Sequence, residues 1–263
     1  MAGEVEMWKT VLVATMFNLL FEYSMRGINN ILVQPFLPLV LFTTYFTLFT
    51  MLEDLVLRYR LKDYHLMVGA FSYGIVYQCL VSGAAFIPPL IFGINWGGVL
   101  FVILVWWGAL QNVMTFYIAN RIAPRDWNRR PLSKLGWVAM LLLNGLMVLL
   151  FQLYGGIPKG SLRGIAVMIL ILIGGVTVFW RVLPSKEGRS MTPEFRRDKV
   201  MDCLSIFTVI VFFLCAVFLT FDQTKHGASR VNWTATQVVV AWSIVLALGM
   251  LTYRLCFRRP ISV

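Results

Sequence analysis

Eight runs of apolar residues, at 8–25, 31–52, 66–87, 97–118, 135–154, 163–180, 201–221 and 235–256, recur along the chain at 18 to 22 residues each. A hydrocarbon core about 30 Å thick takes about 20 apolar residues of helix, at a rise of about 1.5 Å per residue. Each run is therefore long enough to cross. Backbone groups find no water in lipid, so a span must be a helix or part of a closed barrel. A barrel requires alternating segments of about ten residues, which this chain lacks. The expectation is an all-α bundle of eight transmembrane helices forming one membrane domain over residues 1–263. Composition agrees, because 59% of the 263 residues are hydrophobic and only 13% charged, which excludes a water-soluble globule. The longest connection, 181–200, has 20 residues and leaves no room for an attached soluble domain.

Short cytoplasmic loops of membrane proteins collect Lys and Arg. With the N-terminus inside, eighteen of the 23 cations fall on the cytoplasmic side, at Lys9 and within 58–62, 121–134, 181–199 and 254–259. Arg26, Lys159, Arg163, Lys225 and Arg230 fall on the other. This alternation predicts a multi-pass protein of the plasma membrane with both termini cytoplasmic. Trp8, Trp96, Trp127, Trp137, Trp180 and Trp233 lie at span ends, as amphipathic rings prefer, whereas Trp106, Trp107 and Trp242 lie mid-span. The acidic start, Met-Ala-Gly-Glu-Val-Glu, does not read as a cleavable signal. The net charge of +11 follows from loop placement and calls for no nucleic-acid partner. The partners expected are membrane lipids, with partner subunits or a second copy of the chain as further alternatives.

Ionisable and amide side chains at membrane depth are the candidates for function, because they are disfavoured there and face the bundle or a wet cavity. Asn18, Glu22, Arg26 and Asn29 are spaced four, four and three apart, so on a continuous helix they share one face. Glu22 and Arg26 can pair at i, i+4. Gln78, Gln111, Asn112 and Asn144 lie at comparable depth on three other runs. The candidate polar site is thus Asn18, Glu22, Arg26, Gln78, Gln111, Asn112 and Asn144. Each amide also has a plain reading as interhelical packing glue, and the Glu22–Arg26 pair as a structural ion pair.

Local signals mark several ends. Thr192-Pro193-Glu194 reads as a helix start that would place Arg196, Arg197 and Lys199 on the first turns of the seventh helix. Pro35 and Pro38 suit the first turns of the second span, and Pro88-Pro89 closes the third. Glu53 and Asp54, beside Arg58 and Arg60, read as a solvated, salt-bridged helix end. Ala70, Gly74, Gln78 and Ser82 form a small-residue seam for close helix packing. Asn232-Trp233-Thr234 fits a glycosylation acceptor pattern. Four scattered cysteines and two distant histidines suggest no metal site, and no cofactor is expected.

Walker, H-E-x-x-H and G-x-S-x-G patterns are absent from the sequence. Glu22-Tyr23-Ser24-Met25-Arg26-Gly27 resembles part of the first motif, E-E-x-x-x-R, of the CPBP intramembrane protease family. Phe21 stands in place of that motif's first glutamate, and neither F-x-x-x-H nor H-x-x-x-N follows. The histidines that such chemistry needs to activate water are missing. Three functional readings stand: a transport or permease-type protein or subunit handling a small solute or lipid, an intramembrane enzyme with Glu22 as acid/base, and a non-catalytic subunit of a larger membrane complex.

Overall fold

The computed structural model describes residues 2–128, 131–154, 158–184, 195–219, 232–257 and 261–263. Among these residues there are eight long helices and no strand. They are α1 (Ala2–Arg26), α2 (Leu37–Tyr59), α3 (Asp63–Ser82), α4 (Trp96–Ile122), α5 (Lys134–Tyr154), α6 (Leu162–Val182), α7 (Lys199–Phe218) and α8 (Trp233–Phe257). Seven of them, α2 to α8, are long and apolar enough to cross a membrane. In α1, Lys9, Asn18 and Glu22 dilute the apolar residues.

The placement of α1 shows how the bundle accommodates those residues. It packs against α2, α4, α7 and α8, while α3 packs against α4 and α6, and α5 against α2. At one end of the bundle, Thr10 Oγ1 donates to Ala123 O at 3.0 Å. At the other, Ile28 N donates to Ala216 O at 2.8 Å and Asn232 N to Met25 O at 2.7 Å. We call the first the basic end, since Arg58, Arg60, Arg121 and Arg125 gather there. Helices α2 and α4 are 67% buried over their apolar windows but α5 only 6%, so α5 is a peripheral helix with an apolar exterior.

Residue choice at the contacts explains the close approaches. A Cβ at Gly74 would lie 3.2 Å from the Trp107 ring, and one at Gly175 would lie 2.8 Å from Phe71. Ala70 is fully buried on the same seam, although Ser82 at its end is exposed. The mid-span tryptophans also pack against neighbours. Trp106 meets Phe21 edge-on at 4.5 Å, Trp107 meets Tyr73 and Tyr77, and Trp242 Nε1 donates to Thr208 Oγ1 at 3.0 Å.

Several helix limits differ from the sequence expectation, each for a local reason. Helix α3 ends at Ser82 because Gly83 takes φ +64°, so the following prolines lie in the connection rather than closing the helix. Gly27, at φ +76°, ends α1, leaving Asn29 beyond the helix and off the stripe of Asn18, Glu22 and Arg26. Helix α2 starts at Leu37, with Pro38 in its first turn and Pro35 outside. Thr192-Pro193-Glu194 lies outside the described residues. Helix α7 starts only at Lys199, where Asp198 caps it by accepting from Val200 N at 2.8 Å and Met201 N at 3.2 Å, so Arg196 and Arg197 precede the helix. Asn232 caps α8, its Oδ1 accepting from Ala235 N at 2.9 Å.

Helix α2 continues past its expected end to Tyr59, because its acids are buried and paired rather than solvated. Glu53 receives Arg125 through both oxygens, at 2.6 and 2.7 Å, with both side chains 1% exposed. Arg125 Nη1 also donates to Val263 O at 2.8 Å, and Arg125 N to Asn120 Oδ1 at 2.8 Å. Arg125 and Arg60 both lie against the Trp127 ring, 4.9 and 4.8 Å from its centroid. Burial, and then the neighbouring Arg125 guanidinium, push the Arg60 pKa below its ordinary value. Removing one partner of such a buried pair strands the other charge. Glu53→Ala is therefore expected to destabilise the protein by about 3–5 kcal/mol, read as a lower thermal midpoint in detergent or loss of folded protein. An unchanged midpoint would contradict this role.

Candidate functional site

The site grows from the polar stripe on α1. Glu22 follows Asn18 by about one turn, and Arg26 follows Glu22 by another. Arg26 Nη2 and Nε donate to Glu22 Oε2 at 3.3 and 3.4 Å, with side chains 21% and 13% exposed. The other carboxylate oxygen turns inward, where Tyr45 Oη on α2 donates to Glu22 Oε1 at 2.5 Å. Gln111 Nε2 on α4 in turn donates to Tyr45 Oη at 2.9 Å. A directed chain therefore runs from the α4 amide through a buried tyrosine to the α1 carboxylate, and three helices supply it. These bonds supply partners to carboxylate oxygens that burial withdraws from water.

The stretch of α4 that bears Gln111 is unusual. Phe101–Met114 winds as a π-helix, and Thr115 Oγ1 donates to the carbonyl five residues back, Leu110 O, at 3.1 Å. Here the turn presents Gln111 and Asn112, both fully buried, to neighbouring helices. Gln111 Oε1 has no hydrogen-bond partner among the described residues. The same holds for Asn18 Oδ1, Tyr23 Oη and the Asn30 amide, whereas Tyr73 Oη lies against the Asn112 side chain. Buried polar atoms are ordinarily paired, so an open one calls for water or a ligand.

The seven residues singled out from the sequence divide into one chain and separate contacts. Glu22, Arg26 and Gln111 are brought together through Tyr45. Asn18 lies one turn along α1, its Nδ2 donating to Thr115 Oγ1 at 3.1 Å and Ala14 O at 2.9 Å. Asn112 is adjacent to Gln111 in sequence but does not join the chain. Asn144 pins α5 to its neighbours, accepting from Tyr77 Oη at 3.0 Å and donating to Thr47 Oγ1 at 2.8 Å and Thr44 O at 3.2 Å. Gln78 Nε2 reaches Gly98 O and Val99 O at 3.3 Å each, tying α3 to the start of α4. These last two act as interhelical ties.

Tyr45 is the member that sequence reasoning missed. It sits in an otherwise apolar run, but Thr43, Thr44, Thr47 and Thr50 surround it, and that density of hydroxyls is a readable signal. A second cluster also went unseen. Tyr117 Oη donates to Asp202 Oδ1 at 2.8 Å, Arg121 pairs with Asp202 at 3.1 Å, and Tyr253 Oη donates to Asp198 Oδ2 at 2.8 Å. It joins α4, α7 and α8 at the basic end. Among the described residues no group of His, Cys, Asp or Glu is arranged to hold a metal ion. No protein family, no curated protein and no solved structure matches the chain.

Tyr45→Phe would leave both a Glu22 oxygen and the Gln111 amide short of a partner. A loss of about 1–3 kcal/mol in stability is expected. Combining it with Gln111→Leu should cost less than the two single changes added together, since the double variant removes the stranded amide. Strictly additive shifts in thermal midpoint would show that the two residues are not coupled.

Proposed function

We propose that the chain is a transport- or permease-type membrane protein, or a subunit of one, whose polar route for a small solute or a proton begins at Glu22. In this reading all eight helices cross a plasma membrane and both ends lie on the cytoplasmic side, as the distribution of Lys and Arg suggests. One observation carries the proposal: the Glu22–Tyr45–Gln111 chain ends inside the bundle on an unpaired acceptor, Gln111 Oε1. An open carbonyl in a membrane interior is stabilised by a donor that enters, either water or a solute bearing N–H or O–H. The partly exposed Glu22–Arg26 pair gives the chain a charged mouth.

Catalysis by Glu22 is less well supported. His65, a conventional second group for activating water, lies at the basic end and accepts from Lys62 N at 2.9 Å. The test uses the whole chain in liposomes, with light scattering to follow entry of urea or glycerol and an entrapped dye to follow proton flux. At least one rate should exceed that of protein-free liposomes. Glu22→Gln should lower it about tenfold or more, the equivalent of one charge-assisted hydrogen bond, while the thermal midpoint shows the variant folded. Rates equal to protein-free liposomes throughout would overturn the proposal and favour a non-catalytic subunit.

A further inference from the structure

A groove of 390 Å³ opens at the basic end between the end of α2 and the start of α5, lined by Leu55, Arg58, Tyr59, Leu132, Lys134 and Trp137. Its walls carry two cations and no acid. The nearest carboxylate, Asp54, is fully buried beneath it and turned inward, accepting from Leu132 N at 2.6 Å, Trp137 Nε1 at 2.7 Å and Arg58 Nε. Arg58 also donates to Leu132 O. The buried acid thus holds Arg58, the Trp137 indole and the chain entering α5 in fixed relation, while the exposed Lys134 adds charge from the other side.

What continues from the groove is apolar. Trp137, Val138 and Leu141 follow Lys134 by three, four and seven positions and so share a face of α5. Leu135, Val138, Leu141 and Leu142 are all more than half exposed. A cationic pocket flanked by Tyr and Trp, at the end of two helices apolar enough to span, matches the chemistry of a phospholipid: anionic head, amphipathic glycerol, apolar tail. A soluble anion would use only the cations.

We propose that this groove is a binding site for an anionic phospholipid, with its phosphate between Arg58 and Lys134, its glycerol against Tyr59 and Trp137 and an acyl chain along α5. The assignment is independent of the polar route at Glu22 and requires only that α2 and α5 lie in lipid.

The experiment titrates the detergent-solubilised full chain with phosphatidylglycerol, phosphatidylcholine or inorganic phosphate, reading bound species by native mass spectrometry and stability by thermal midpoint. Phosphatidylglycerol should be held at least about fivefold more tightly than phosphatidylcholine, the scale expected of one well-placed cation, Lys134, beside an Arg58 already paired with Asp54. Lys134→Glu should abolish that preference with the lipid-free midpoint unchanged, and the milder Lys134→Gln should weaken it. Equal binding of the two lipids would overturn the proposal, as would a Lys134→Glu variant that keeps the preference. Stabilisation by inorganic phosphate as large as that by phosphatidylglycerol would assign the groove to a soluble anion instead. An acidic protein segment found there in place of lipid would equally refute it.

Discussion

A polar side chain within a bilayer has no water to fall back on, so its partners must come from other helices, and this requirement organises the bundle around α1. Asn18, Glu22 and Arg26 on one stripe would make α1 a poor neighbour for acyl chains. Packed among α2, α4, α7 and α8, it finds Thr115 on α4 for Asn18 and Tyr45 on α2 for Glu22. The least apolar long helix is thereby packed against four others. The apolar exterior falls to helices such as α5, which contributes little to the core beyond the Asn144 tie.

The basic end follows the same rule with stronger charges. Three nearly unexposed carboxylates, Glu53, Asp54 and Asp63, organise the corners there. Glu53 takes Arg125, Asp54 takes the chain entering α5, and Asp63 accepts Ile261 N at 2.9 Å and pairs with Arg254 at 3.3 Å. Each acid links segments that are distant in sequence. The loops at this end are therefore held in place by buried charge, which gives a groove such as that at Arg58 and Lys134 a fixed shape.

Much of this fold is legible in the sequence, because the span length in lipid is set by bilayer thickness and leaves a strong signal. Each of the eight apolar runs overlaps a long helix, seven of them long and apolar enough to cross a membrane, and the differences are instructive. Gly83 rather than Pro88-Pro89 ends α3, since a left-handed cap is decided by one residue's backbone and not by hydropathy. Glu53 and Asp54 read as solvated because charge at a helix end usually is. Their burial depends on Arg125 and Leu132, more than seventy residues away. The site was legible in part for the same reason. Glu22 and Arg26 are neighbours on one helix, whereas the link from Glu22 to Gln111 needs Tyr45, and no local spacing joins those three.

The proposal depends most on α1 crossing the membrane packed among α2, α4, α7 and α8 despite its charges. Lys9 and Ile28, both exposed, lie toward opposite ends of α1, whose helix from Lys9 to Arg26 is about 26 Å long. Single cysteines at these two positions, in a background with the four native cysteines replaced, can be probed with an impermeant maleimide on sealed vesicles of one orientation. The account predicts that one position reacts from outside and the other only after the vesicles are opened. Reaction of both from the same side would contradict it.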